Sequence, residues 1–498
     1  MKKTALLVFL LMLIAAASVP YWVGGEIEKQ LRAQSDLLQL QWEQQPGVSY
    51  EFYRYQRGYF ASTVDTRFTF DPQVMPVLPT PSSPVIAPFN LTFRHKISHG
   101  PWINKGFSLQ VMSKIETIFM PEDRQQATSN YYFGDQAAFS MTTWLEWAGS
   151  IRSGGGMPAY RGRDHTGRYD VKWGGLYFRF EGDWITARGK GRFNAPRFEL
   201  SNAVHGVTVG GVLGVFDRFM SPQGFPLGDG DIGLNAFKLR GESSIGVPLE
   251  IVLRDMTIAY SVLLREKLLD VTQQLEFRLL QVNDVKFNRG AIYLALNNLD
   301  TIVLQTMQHR YVALAQLPNK NSERLPQVLL QQAQSLLPPL LAQSPVIHIN
   351  KIAVTTVDGR ISGRFKLSIE KGAVVPTSIA LPRDLDALLP LTQVEIDIKL
   401  PASIIEQQAR KAVSAKIVGQ LLESEQAMTA EVLAQQTTRA VEQMLAQFEI
   451  QNIIRREANH YRAKLRYQDS RLYLNGVPAD NFLALLPSHK ESYSVHVP

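Results

Sequence analysis

The chain has 498 residues, of which 45% are hydrophobic and 19% charged, with a formal charge of +7 and no cysteine. That apolar share excludes a disordered chain. The absence of thiols excludes a disulfide scaffold, a thiolate zinc site, an iron–sulfur cluster, a cysteine nucleophile and a lipid-modified cysteine anchor.

Lys2 and Lys3 precede an unbroken apolar run, Ala5 to Ala17, that continues through Tyr21 and Trp22 to Val23. As a helix, Ala5–Val23 would measure about 28 Å, enough to cross a bilayer core. The lysines would stay on the cytoplasmic side and everything after Gly25 would be exported. Ala5, Leu10 and Ile14 would lie in the hydrocarbon, with Tyr21 and Trp22 at the outer headgroups. A cleaved signal peptide with Ala15–Ala17 as its small-residue site is the alternative. An exported chain without stray thiols fits an oxidising compartment.

Glu26–Gln45 reads as a short helix leaving the membrane. Strand alternation begins after Pro46, with Val64, Thr66, Phe68 and Phe70 on one face and Asp65, Arg67 and Thr69 on the other. Proline-rich Asp71–Pro88 is a loop. Strands are expected at Phe89–Ser98, Phe107–Ile118 and Ala138–Trp147, then a meander over Tyr169–Leu200 turning at Gly182–Asp183. Ser153–Gly156 reads as a flexible turn, and Gly228–Gly233 as a plain turn that lacks the acidic ligands of a calcium loop. Short runs recur through Ala236–Val247, Leu249–Ser261 and Val285–Leu296, and clear strands lie at Ile361–Ile369 and Val394–Leu400. Helical periodicity marks Asp300–Leu317, Leu325–Leu341 and Ala402–Tyr467, the last with stripes Ile405–Ala409–Val413–Ile417 and Leu433–Val441–Met444–Phe448. A strand at Arg471–Leu474, an Asn475–Gly476 turn and a helix-like Asn481–Leu486 close the chain.

The fold class is therefore α+β and β-rich: an N-terminal transmembrane helix, large antiparallel meanders and a C-terminal helical region. Its expected parts are an anchor at 1–25, a β-rich region at 26–300 and an α+β region at 301–498.

Three motifs resemble those of the YdgA-like proteins. They are Tyr53-Arg54-Tyr55-Gln56-Arg57-Gly58-Tyr59-Phe60-Ala61-Ser62, then His99-Gly100-Pro101, and finally the closing strand with Asn475-Gly476. That resemblance implies a bacterial inner-membrane anchor, a periplasmic body and self-association, and it supplies no catalytic residues.

No catalytic, cofactor or metal residues are nominated. The nine histidines never take a zinc-ligand spacing. His95 and His99 would stand about 13 Å apart on one strand face, too far to share a metal. His99 is the sole residue offered for an alternative periplasmic hydrolase, and capping a strand end is its plainer role. Between Arg161 and Arg197 nine basic residues face four acidic ones, most of the net charge. Arg161, Arg163, Arg168, Lys172, Trp173, Arg188, Lys190 and Arg192 are the expected contacts to anionic lipid, lipopolysaccharide or a protein partner; a solvated meander is the plainer reading. Export makes nucleic acid an improbable ligand. The expectation is a non-enzymatic binding or scaffold protein of the cell envelope that contacts lipid through a curved sheet surface. Oligomeric accessory of an envelope assembly is the further alternative.

Overall fold

The computed structural model describes the chain between residues 19 and 479, apart from 34, 37, 40–41, 43–46, 72–86, 101, 104–105, 108–110, 184–185, 187, 223, 243–247, 316–333, 377–378, 380–384 and 425–428. Most of the proline-rich loop, Ala5–Ala17 and the helix-like Asn481–Leu486 therefore lie outside the described residues. The chain divides into two compact units. One comprises residues 1–249 with 305–325, the other 250–304 with 326–498.

The first unit opens with helix α1, residues 19–33. Val19, Val23, Ile27 and Leu31 recur every fourth residue and so share one helical face. They pack on Val64, Ile97, Met112 and Ile115 of an antiparallel sheet. That sheet is a meander. β1 (Val48–Arg57) pairs with β2 (Ala61–Phe70), and β2 with β3 (Phe89–His99). A small hairpin of β4 (Trp102–Ile103) and β5 (Gly106–Phe107) precedes β6 (Val111–Met120), which returns to β3. Helix α2 (Asp123–Phe133) is inserted before β7 (Ser140–Glu146) and is started by a capping box on Glu122.

β8 (Ser150–Met157) and β9 (Tyr160–Arg163) lie beside β11 (Leu176–Asp183) and β10 (Asp170–Trp173) respectively. The long strands β12 (Arg188–Ser201), β13 (Gly206–Met220) and β14 (Pro226–Glu242) complete the unit.

In the second unit β15 (Pro248–Arg265), β16 (Leu268–Val282) and β17 (Val285–Asp300) precede α3 (Thr301–Ala315), whose residues fall on both sides of the division. Helix α4, residues 334–341, leads into β18 (Val346–Thr356) and β19 (Gly359–Ile369). A short α5 (Leu385–Leu388) precedes β20 (Thr392–Pro401). Then come the helices α6 (Ala402–Ser424) and α7 (Ala430–Ile450), and strands β21 (Arg455–Glu457), β22 (His460–Gln468), β23 (Arg471–Leu474) and β24 (Val477–Pro478). β15 to β20 pair in chain order, and β22 and β23 extend the ladder.

The β-rich antiparallel character and the C-terminal helices match the expected fold class, with five corrections. The short runs expected after Ala236 are parts of strands of 15 to 18 residues: polar residues on their solvent side break the apolar pattern without breaking the ladder. Ser153–Gly156 is strand β8, because bare glycines let neighbouring backbone approach; a Cβ on Gly156 would meet the Leu176 carbonyl oxygen. Gly228–Gly233 is strand within β14. Gly182 and Asp183 close β11, and the turn follows them. The helical stretch expected to Tyr467 ends at Ile450, and the hairpin of β21 and β22 follows, with β22 held by pairing with β20.

Directly paired residues in an antiparallel ladder point to the same face, so register shows what each face carries. In the first unit one file runs Ser62–Ile97–Ile115–Thr143–Ser153–Phe180–Gly191–Phe216. Its neighbour runs Val64–His95–Thr117–Met141–Gly155–Phe178–Phe193–Gly214–Ile232. Phenylalanine rings lie over glycines: a Cβ on Gly191 would stand 2.1 Å from Phe216, and one on Gly214 2.1 Å from Phe193.

In the second unit one file is Val262–Val271–Leu296–Ile347–Leu367–Val394–Tyr467–Leu472. The next is Tyr260–Gln273–Leu294–Ile349–Phe365–Ile396–Leu465–Leu474. At strand spacings of about 4.8 Å each file is about 34 Å long. The opposite face carries Lys366, Glu395, Arg364, Asp397, Lys464 and Arg462. Part of the apolar face is covered at one end, where Tyr461 joins Ala402, Val441 and Leu445 in a core with Ile405, Ala409 and Val413 of α6.

Candidate functional site at the helix–sheet junction

The first two motifs singled out in the sequence converge on the start of α1. At the end of β1 the Arg57 guanidinium turns back: Nη2 donates to the Tyr21 carbonyl oxygen at 2.5 Å, and the group lies 4.2 Å from the Tyr21 ring centroid. A Cβ on Gly25 would stand 2.8 Å from that Nη2, so the bare helix surface gives the guanidinium its seat. After the turn, Ser62 Oγ lies 3.1 Å from His99 Nε2, and the His99 backbone N–H donates to the Phe60 carbonyl at 3.0 Å. A Cβ on Gly24 would stand 2.8 Å from the His99 ring. Gly100, at a φ of 90°, presses against Pro20, where a Cβ would come within 3.0 Å. Pro20, Gly24 and Gly25 of the helix thus dock on Arg57, His99 and Gly100 of the sheet. Pro101 lies outside the described residues.

His99 is 0% exposed and Ser62 1%. Burial pushes the His99 pKa below the usual imidazole range and Arg57 adds to this, against an opposing backbone interaction with Pro20. Nδ1 has no well-formed hydrogen-bond partner among the described residues. The closed Ser–His pair lies beneath a helix and ties it to the sheet.

Beside this junction, a cavity of about 240 Å³ lies between α1 and the sheet, lined by Ile27, Leu31, Val64, Ile97, Met141 and Leu145 among others. His95 faces it. Its Nε2 lies 2.9 Å from Thr66 Oγ1 and its Nδ1 2.8 Å from Thr117 Oγ1, so both ring nitrogens are engaged by hydroxyls. Burial among apolar neighbours lowers the His95 pKa to about 4, with Asp65 opposing weakly. His95 is therefore a neutral polar centre in an apolar chamber.

The remaining sequence-derived residues fall elsewhere. Tyr53 is flanked by the guanidiniums of Arg67 and Arg54, at 4.7 and 5.7 Å from its ring. Asn475 and Gly476, at φ 49° and 88°, form the tight turn between β23 and β24 that needs two left-handed residues. Asn475 Nδ2 also donates to the Asn452 carbonyl at 2.8 Å, and its Oδ1 accepts from the Lys464 N–H at 2.9 Å.

In the basic band, register separates the two residue classes that the sequence interleaves. Phe178, Phe180 and Phe193 share one face, while Arg179, Lys190 and Arg192 lie on the other. That second face also carries Asp217, and other carboxylates of the band are paired with its bases as well. Arg188 and Lys190 lie 3.7 and 3.4 Å from Asp217, Lys172 2.9 Å from Glu199, and Arg163 3.8 Å from Asp170. Arg161 pairs across the ladder with Lys172, and Arg168 lies exposed in the turn before β10. Trp173 is packed edge-on to Phe198 with its indole nitrogen buried.

Among the described residues no group of three or more histidine or carboxylate side chains is arranged to hold a metal ion, and no helix is long and apolar enough to cross a membrane. Ala5, Leu10 and Ile14 lie outside those residues. Of the expected headgroup aromatics, Tyr21 and Trp22 are exposed on α1, while Val23, the last residue of the predicted span, is buried on the sheet.

A family model for bacterial proteins of unknown function, DUF945, matches residues 1–480. The chain belongs to the DUF945 family. No curated protein and no solved structure matches it. Tyr59 and His95 are the residues of this DUF945 chain that sequence reasoning passed over. Tyr59 stands in the quoted motif, yet its neighbourhood with Tyr21 depends on the fold. Spacing alone presents His95 as a candidate metal ligand, and its hydroxyl partners, Thr66 and Thr117, come from two other strands.

Proposed function

We propose that this chain is a membrane-anchored, non-enzymatic binding or scaffold protein of the bacterial cell envelope, and that its ligand is the acyl portion of a lipid. The N-terminal apolar run and the likeness to YdgA-like proteins support the anchor and the exported body. The observation that carries the lipid reading is the apolar file across eight strands in the second unit, Val262 through Leu472. Ile347 in this file, and Ile292 and Ile398, four residues along their strands from its members Leu296 and Val394, are 38, 41 and 38% exposed. Exposed aliphatic side chains gathered along one sheet face mark an interaction site. Its lining, aliphatic apart from Tyr467, suits a flexible hydrocarbon better than a polar solute. The first unit offers the same chemistry in the Phe178–Phe216 surface and the cavity under α1.

The test uses the full chain reconstituted in vesicles containing a phospholipid with a photoreactive diazirine in its acyl chain. Adducts are expected on peptides carrying Ile292, Ile347 and Ile398. Adducts confined to residues 1–25 would overturn the lipid reading.

A further inference from the structure

The junction of α1 with the β1–β2 turn presents four aromatic rings to solvent: Tyr21 at 57% exposure, Trp22 at 63%, Tyr59 at 44% and Phe60 at 57%. They come from two elements distant in sequence. Tyr21 and Tyr59 have ring centroids 6.5 Å apart, and Tyr59 and Phe60 4.7 Å apart in an edge-on arrangement. The cluster is held rigidly. Arg57 fixes the turn to the Tyr21 carbonyl, and the His99 N–H fixes the Phe60 carbonyl. Gly58 allows the turn to close, since a Cβ there would meet the Ala61 carbonyl oxygen at 2.3 Å. Val19, Val23 and Ile27 face the sheet, so the Tyr21–Trp22 side of α1 faces away from it.

Four exposed rings in one rigid patch cost free energy in water and suit the boundary between hydrocarbon and headgroups, where aromatic side chains concentrate. The apolar run that begins at Ala5 leads into the described part of α1, which brings that boundary to this patch. We propose that Tyr21, Trp22, Tyr59 and Phe60 form a seating collar that rests in the headgroup layer, with Arg57 beside the lipid phosphates. The collar fixes how the first unit stands on the bilayer; a single anchoring helix would leave it free to swivel. This inference rests on the membrane attachment proposed above and not on acyl binding by the sheets.

The chain has no cysteine, so a single introduced thiol gives one labelled position. The full chain carrying Phe60→Cys, and separately Tyr59→Cys, is labelled with an environment-sensitive fluorophore and reconstituted in vesicles of phosphatidylethanolamine and phosphatidylglycerol. Asp135→Cys, in the exposed turn after α2, is the water-facing reference. The expected result is a blue-shifted emission at 59 and 60, quenched by brominated acyl chains, with neither change at 135. Emission at 59 and 60 equal to that at 135 in a chain that stays with the vesicles overturns the collar. A chain that does not partition into the vesicles overturns the collar and the anchor together. Failure of acyl binding is read separately, from the photolabelling of Ile292, Ile347 and Ile398.

Discussion

His99 Nε2 and Ser62 Oγ lie 3.1 Å apart with both side chains closed to solvent, and the His99 ring is the surface on which Gly24 of α1 rests. The pair therefore couples strands β2 and β3 to the helix. Ser62→Ala leaves a buried ring nitrogen without its partner and is expected to cost about 1–3 kcal/mol. Gly24→Ala places a methyl against the ring and is expected to cost a similar amount, about 1–3 kcal/mol. Thermal unfolding checks both, and proteolysis after Lys29 or Arg32 should rise in each variant as α1 lifts. A Gly24→Ala chain as stable and as protected as the wild type would show that the helix does not dock on His99.

His95 makes the first unit sensitive to acid. Its folded pKa of about 4 lies below the ordinary histidine value of 6.5, so between these values the unfolded chain binds the proton that the folded chain refuses. Stability is complete above pH 6.5 and falls as the pH drops toward 4, by about 3 kcal/mol at most. Denaturant titrations at pH 7 and pH 4.5 should differ less in His95→Gln than in the wild type. An equal difference in both chains would assign the acid sensitivity to other groups.

The ring-over-glycine pairs carry a packing cost if the glycine gains a side chain. Phe216 covers Gly191, and the space for a Cβ is already filled. Gly191→Ala is expected to displace the ring and cost about 1–3 kcal/mol, seen as a lower thermal midpoint with altered near-UV dichroism. In a Phe216→Ala background the Gly191→Ala substitution should cost less than it does alone, since the clash is gone, and a double-mutant cycle measures the difference.

On the apolar face of the second unit, Ile292→Ser and Ile398→Ser probe binding rather than folding. Both side chains are about two-fifths exposed, so each change is expected to alter stability by about 1 kcal/mol or less. Photolabelling of this face by acyl diazirine should fall in the double variant. Undiminished labelling there would remove these residues from the binding surface.

Asp397 anchors the charged face of the same sheet. Arg462 donates to both its oxygens at 2.8 Å, and Arg364 Nη2 lies 3.3 Å away. The hydrogen bonds and charge of Arg462 hold the Asp397 carboxyl below its usual pKa. Its contribution is present above the unfolded carboxyl value and is lost as the pH falls through the acid range. Asp397→Asn is expected to cost about 1–3 kcal/mol at neutral pH and proportionately less near pH 2, measured by chemical denaturation.

Alternation such as Leu176–Phe178–Phe180 against Tyr177–Arg179–Glu181 was legible because side-chain direction in a strand is a local property with period two. The stripes Ile405–Ala409–Val413 of α6 and Val441 of α7 were legible for the same reason at helical period. Strand length was not, because a polar pair within a long strand looks like its end until the neighbour supplies hydrogen bonds. The motif around Arg57 and the His99–Gly100 pair could be noticed in sequence, but their shared partner, the start of α1, could not.

The sequence by itself determined the antiparallel, β-rich character of the body, the acyl-length apolar run at its start and the absence of thiol chemistry, since each follows from composition or from neighbours a few residues apart. Tertiary structure decided which faces those strands turn to one another. Register set Phe178, Phe180 and Phe193 of the basic band on one side of the sheet and Arg179, Lys190 and Arg192 on the other. It aligned seven aliphatic residues and Tyr467, one from each of eight strands, into one file, and it set Tyr59 beside Tyr21. These are relations between residues tens to hundreds of positions apart. They are set by strand pairing, which no local periodicity encodes.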